Sequence, residues 1–203
     1  REFEGQGMIA ALAHHIDGGK IKLFCVNSVN NQSFYDTSAH PRHRSYVQAT
    51  YDAYLVEEVV PFVHNECGTP GIAITTTGAS FGAYHAVNSL LKHPQLFRRC
   101  LGLSGVYDLR RFMDGDYDDN FYFHNPVDYM ANLDDPWIRE QLASCEIRLA
   151  TGSGPWEESR FSYTMSGILA KKGIHHHLDD WGPRGGHDWP YWKDQMREYL
   201  SRW

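Results

Sequence analysis

Apolar and polar positions along this chain follow two periods. Across residues 42–65, Tyr51, Tyr54, Leu55, Val59 and Phe62 recur at three- and four-residue steps, which predicts a long amphipathic helix. Residues 8–16, 81–92, 157–172 and 188–203 read as further helices, the second stopped by His93-Pro94. Between them lie short apolar or β-branched runs at 21–27, 71–77, 100–103, 147–151 and 174–181, which fit strands. Residues 28–41 form a polar loop. Residues 107–135 are the least regular, and their acidic, aromatic run at 114–119 reads as a solvated loop. Strands alternating with helices predict an α/β fold: a mainly parallel sheet flanked by helices on both faces. No repeat, low-complexity tract or linker divides residues 1–203, so the chain reads as a single domain.

Composition narrows the function classes. With 203 residues, 42% of them hydrophobic and 22% charged, the chain is long and apolar enough to build a core. Its formal charge of −6 gives no polycationic footprint, so nucleic acid is not an expected partner. No apolar run approaches the ~20 residues of a membrane helix, so no membrane partner is expected either. No signal peptide is visible, which points to a cytoplasmic location. Cys25, Cys67, Cys100 and Cys145 form no CxxC or zinc-ligand spacing, and Cys25 and Cys100 are expected as buried free thiols on strands. His175, His176 and His177 alternate faces on a strand, so no metal site is expected there.

The sharpest chemical motif is Gly78-Ala79-Ser80-Phe81-Gly82, between a β-branched strand and a helical pattern. A nucleophile there sits in a tight strand-to-helix turn, and glycines two residues before and after are expected to relieve crowding. The turn lifts Ser80 to the carboxyl edge of the sheet. It also puts the Phe81 N–H at a helix N-terminus, ready to serve an oxyanion hole. The base is expected on a loop after the last strand, and His187 lies there, in Gly185-Gly186-His187-Asp188. The other histidines, among them His14, His15, His40, His43, His64, His85, His93 and His124, read as surface or packing residues. The acid is expected after the strand at 147–151, where Glu157 is favoured and Glu158 is the alternative. Asp108 is a second alternative; Asp179, Asp180 and Asp188 are less well placed.

With Ser80, a carboxylate and His187 in this order, the chain resembles the α/β-hydrolase superfamily. It is most similar to the Putative esterase branch, which includes esterase D-like thioesterases and bacterial mycolyltransferases. The similarity spans nearly the whole chain. It is carried by Gly5-Gln6-Gly7-Met8, by the Ser80 motif, by Leu103-Ser104-Gly105, and by Gly186-His187-Asp188-Trp189 with Tyr191-Trp192. The acid segment departs from the branch: Gly152-Ser153-Gly154-Pro155-Trp156-Glu157 replaces its usual compact Gly-x-x-Asp form. Such domains begin with several strands before their first helix and take a second oxyanion donor from the loop after the third. This chain starts at that loop, which implies a sheet without those first strands and a second donor among residues 1–7 or ahead of them. The resemblance implies a serine carboxylesterase or thioesterase acting on a small-molecule ester or thioester through an acyl-enzyme, with no cofactor. The competing expectations are a catalytically inactive hydrolase-fold binding protein and an acyltransferase with a non-water acceptor. Phe34, Tyr35, Trp156, Trp189 and Trp192 are candidates for an acyl or aryl pocket, with ordinary packing as the competing reading.

Overall fold

The β-branched and apolar runs from residue 71 onward pair into one sheet. In the computed structural model, which describes residues 2–202, β1 (Ile74–Ala79), β2 (Phe97–Leu103), β3 (Glu146–Thr151) and β4 (His177–Asp180) are all parallel, in the order β1-β2-β3-β4. Arg1, the first residue of the expected donor segment, and Trp203, the last of the expected final helix, lie outside the described residues.

Short helices α1 (Glu2–Gly5), α2 (Met8–Ala11) and α3 (Ala13–Asp17) precede the sheet. The helix expected over 8–16 is interrupted at Leu12, whose side chain is fully buried. The long helix expected over 42–65 runs as α4 (Pro41–Tyr54) and α5 (Val60–Cys67), joined by a π-helical turn at Leu55–Val59. Pro61 has no N–H to give to the carbonyl four residues back, and the π turn shifts the register around that gap. Helix α6 (Phe81–Lys92) follows β1; α7 (Asp119–Tyr122), α8 (Pro126–Tyr129) and α9 (Pro136–Ala143) lie between β2 and β3; α10 (Arg160–Lys171) and α11 (Trp189–Ser201) close the chain. None of the described helices is long and apolar enough to cross a membrane.

The two faces of the sheet follow from strand alternation. Cys100, Ile147 and Leu149 pack with Val87, Leu90 and Leu91 of α6 and Met165 and Leu169 of α10. Leu101, Leu103 and Ala150 point the other way, onto Met8 and Leu12 and onto Trp192, Met196 and Tyr199 of α11. A third cluster of Phe34, Phe81, Tyr84, Leu109, Met113 and Phe121 joins α6 to the long excursion between β2 and β3.

The strand expected at 21–27 does not form. The segment does not add to the free edge of β1, which among the described residues pairs only with β2. Ile21 and Leu23 instead rest on the α11 side of the core. Cys25, expected to be buried on that strand, is half-exposed, and the four cysteines are joined by no disulfide among the described residues. Between this segment, the β1 edge and the flanking helices lies a cavity of about 1100 Å³, lined by Leu23, Val59, Thr75, His85 and Met196 among others.

Candidate active site

Ser80 occupies the turn between β1 and α6 with φ 56° and ψ −119°. That region is rarely held by a residue with a side chain and costs about 1–3 kcal/mol. The turn is fixed by the Ser80 N–H donating to the Leu103 carbonyl at 2.9 Å and by the Ser80 carbonyl accepting from the Ala83 N–H at 3.1 Å. A Cβ on Gly78 would fall on the Gly82 backbone, so Gly78 is required by close approach. Gly82 differs from the expectation: a Cβ there would meet nothing within 4 Å outside its own helix. The crowding is one-sided, with Gly78 as the residue that must lack a side chain. Phe81 opens α6, whose first N–H groups have no partner four residues back.

His187 reaches this turn from the loop after β4. Its Nε2 lies 2.9 Å from Ser80 Oγ, and its Nδ1 lies 3.6 Å from Glu157 Oε2. The Glu157 side chain is 1% exposed; Oε1 accepts from the Thr151 hydroxyl at 2.8 Å, and Oε2 is buried without a hydrogen-bond partner. Glu158 points elsewhere: its side chain is 56% exposed and pairs with Arg160. The other acidic residues are also engaged away from His187. Asp108 pairs with Arg110, Asp179 with Arg148, Asp180 accepts from the Tyr163 hydroxyl, and Asp188 caps α11. The helix expected from 157 begins only at Arg160, which leaves Glu157 on a loop.

The loops that carry Glu157 and His187 are joined through their backbones. Ser153 N–H donates to the Gly182 carbonyl at 2.8 Å, Gly154 N–H to Gly185 at 2.9 Å, and His187 N–H to Pro155 at 2.9 Å. A Cβ on Gly152 would collide with the Gly185 carbonyl and come within 2.6 Å of the Gly182 carbonyl.

The aromatic candidates divide. Phe34 is fully buried in the third cluster, so it is core. Trp192 is also buried, but its ring meets the His187 imidazole edge-on at 5.1 Å, and its indole N–H donates to Ser104 Oγ at 2.9 Å. Trp189 packs on Trp192 at 5.2 Å. Tyr35 is 45% exposed and lies 4.9 Å from the Phe81 ring; Trp156 is 86% exposed. In the sequence Ser104 stands out only as part of the Leu103-Ser104-Gly105 segment, yet like Ser80 it holds a positive φ, 52°, after its strand and donates its N–H to the next strand, at the Ala150 carbonyl. A Ser-Gly pair after a strand carries no signal for that. Among the described residues no group of His, Cys, Asp and Glu has the arrangement of a metal site, His175–His177 included. The large cavity at the β1 edge is lined by Gly82 and His85 but by neither Ser80 nor His187, so it is a separate feature.

Residues 23–202 match the family described as Putative esterase. Among solved structures, the chain is similar to a ferulic acid esterase, at 19% identity and a TM-score of 0.58 over 74% of this chain and 59% of that one. It is also similar to an S-formylglutathione hydrolase from Staphylococcus aureus, at 17% identity and 0.55 over 79% and 64%. The corresponding hydrolase from Agrobacterium tumefaciens gives 14% identity and 0.53 over 74% and 57%. The chain thus spans less than two thirds of each of these proteins, and the likeness is one of fold, that of the α/β-hydrolases. No curated protein matches it in sequence.

Proposed function

The chain belongs to the Putative esterase family of α/β-hydrolases, and on that footing we propose that it hydrolyses carboxylic esters or thioesters through an acyl-enzyme on Ser80. The observation that carries this reading is the 2.9 Å approach of His187 Nε2 to Ser80 Oγ, with the orphaned Glu157 oxygen behind Nδ1. His187 takes the Ser80 proton as Oγ attacks the carbonyl. Glu157 fixes the tautomer with hydrogen on Nδ1 and stabilises the imidazolium that forms. The Phe81 N–H donates to the oxyanion, with a second donor from residues 1–7 or from ahead of them. The tetrahedral intermediate collapses as His187 gives the proton to the leaving oxygen or sulfur. Water then attacks the acyl-enzyme by the same route and frees Ser80. The free cysteines suit a reducing compartment such as the cytoplasm.

A fluorophosphonate probe should label the protein, and Ser80→Ala should abolish both labelling and ester turnover, the latter by on the order of 10⁴–10⁶-fold in kcat. Equal labelling of the variant would overturn the assignment of the nucleophile. A panel of 4-nitrophenyl esters and thioesters, analysed for products with and without added alcohol, separates hydrolysis from acyl transfer.

A further inference from the structure

The aromatic side chains beside Ser80 can be followed contact by contact, from the buried rings of Phe81 and Trp192 out to the partly exposed rings of Tyr35, Phe112 and Trp189. Phe81 meets Tyr35 at 4.9 Å and Phe112 at 5.6 Å, and those two rings face each other at 5.7 Å. On the opposite side His187 meets Trp192, Trp192 meets Trp189, and Trp189 meets Phe3. One cation stands on the Tyr35 side. The Arg111 guanidinium lies 4.9 Å from the centre of the Phe112 ring and 5.6 Å from that of Phe161. Its charge also acts on the Tyr35 phenol, whose pKa is raised by burial first, drawn back by Arg111 and raised again by the Glu2 carboxylate.

Arg111 differs from the arginines near it. Arg42, Arg44, Arg110 and Arg160 each hold a carboxylate, the last while also stacked on Phe161, whereas Arg111 has none among the described residues. Stacking on two rings holds a guanidinium in place and strips part of its hydration, while its edge remains free for a bidentate anion. The chemistry proposed above fixes which part of a substrate meets it. His187 must reach the leaving atom, so the leaving group lies on the Trp192 side and the acyl chain runs toward Tyr35 and Phe112.

We propose that Arg111 is a specificity-determining residue that receives a carboxylate on the substrate's acyl chain, so that the favoured substrates are half-esters or half-thioesters of dicarboxylic acids. This rests on the serine-hydrolase reading. The test compares mono-4-nitrophenyl adipate with 4-nitrophenyl hexanoate, which share a chain length and differ in the terminal carboxylate. Steady-state kinetics are taken at low salt for the wild type, Arg111→Gln and Arg111→Lys, with spontaneous hydrolysis subtracted. The expected result is a fall of about tenfold in the adipate-to-hexanoate ratio of kcat/KM for Arg111→Gln, arising in KM, with part of the ratio restored in Arg111→Lys. A ratio in Arg111→Gln equal to that of the wild type overturns the proposal while leaving the serine reading intact. If the wild type turns over neither ester and Ser80 takes no fluorophosphonate, the serine reading falls and this inference falls with it.

Discussion

Ser80 and Ser104 both hold a positive φ, 56° and 52°, at the ends of adjacent strands. Each is held by an N–H donated to the next strand, to Leu103 and Ala150 respectively. Ser104 then accepts from the indole of Trp192, whose ring lies against His187. Trp192 is therefore a positioning residue. Trp192→Phe should keep the ring and lose the tie, costing about 1 kcal/mol in a urea melt and lowering kcat more than it raises KM. The orphaned Glu157 oxygen gives a sharper expectation. On the proposed mechanism, Glu157→Gln keeps size but loses the charge that would steady the imidazolium, so kcat should fall by on the order of 10⁴-fold. Glu158→Gln, on an exposed side chain paired with Arg160, should stay within about twofold, since surface pairs contribute little. Steady-state assays of the two variants side by side decide it: equal losses would remove Glu157 from the mechanism.

At the scale of elements, two junctions hold the site together. The first is the backbone lacing of 152–157 to 182–187. Gly152→Ala drives a methyl group into two carbonyls that have no room to move, which should cost about 1–3 kcal/mol in a thermal melt. Turnover should fall further than stability, because His187 moves with the loop. The second junction is a charged knot between α4, α6 and α7. Asp52 of α4 pairs with Lys92 and His93, and Lys92 Nζ lies 2.7 Å from His124 Nε2. Burial would raise the Asp52 carboxyl, but the His124 and His93 imidazoles and the Lys92 ammonium outweigh it and hold it well below the usual carboxylate range. A group so depressed gives stability that is complete above its unfolded pKa, about 4, and is lost as the pH falls below that value. Asp52→Asn should therefore cost about 3 kcal/mol at pH 7 and markedly less near pH 3, read by urea melts at both. The sequence made some of this architecture legible. The β1–Ser80–α6 turn announces itself because the motif and its flanking periods are local. The failed strand at 21–27 was not legible, because its short apolar run serves equally well to pack Ile21 and Leu23 on the α11 side of the core, which is a matter of tertiary contact and not of pattern. Nor was the knot, since Asp52, Lys92 and His124 are distant in sequence and met only through the packing of α4 on α6.

At the scale of the whole molecule, the sheet has one weak border. β1 is an edge among the described residues, Thr75 on it is exposed, and Ile72 and Val26 nearby are exposed apolar groups. Such an edge is a template for another chain. Thr75→Lys should delay the onset of light scattering on heating concentrated protein, while changing stability by no more than about 0.5 kcal/mol. The strand order has a further consequence, for synthesis. Because the sheet runs β1-β2-β3-β4 in chain order, each strand can be laid beside the last as the polypeptide leaves the ribosome, with nothing to be inserted between strands already in place. The turn bearing Ser80 is then assembled before the loop bearing His187, which follows β4. On the proposed mechanism, a nascent chain that has folded β1 and α6 carries Ser80 in its strained turn before β4 and the following loop bring His187 to it.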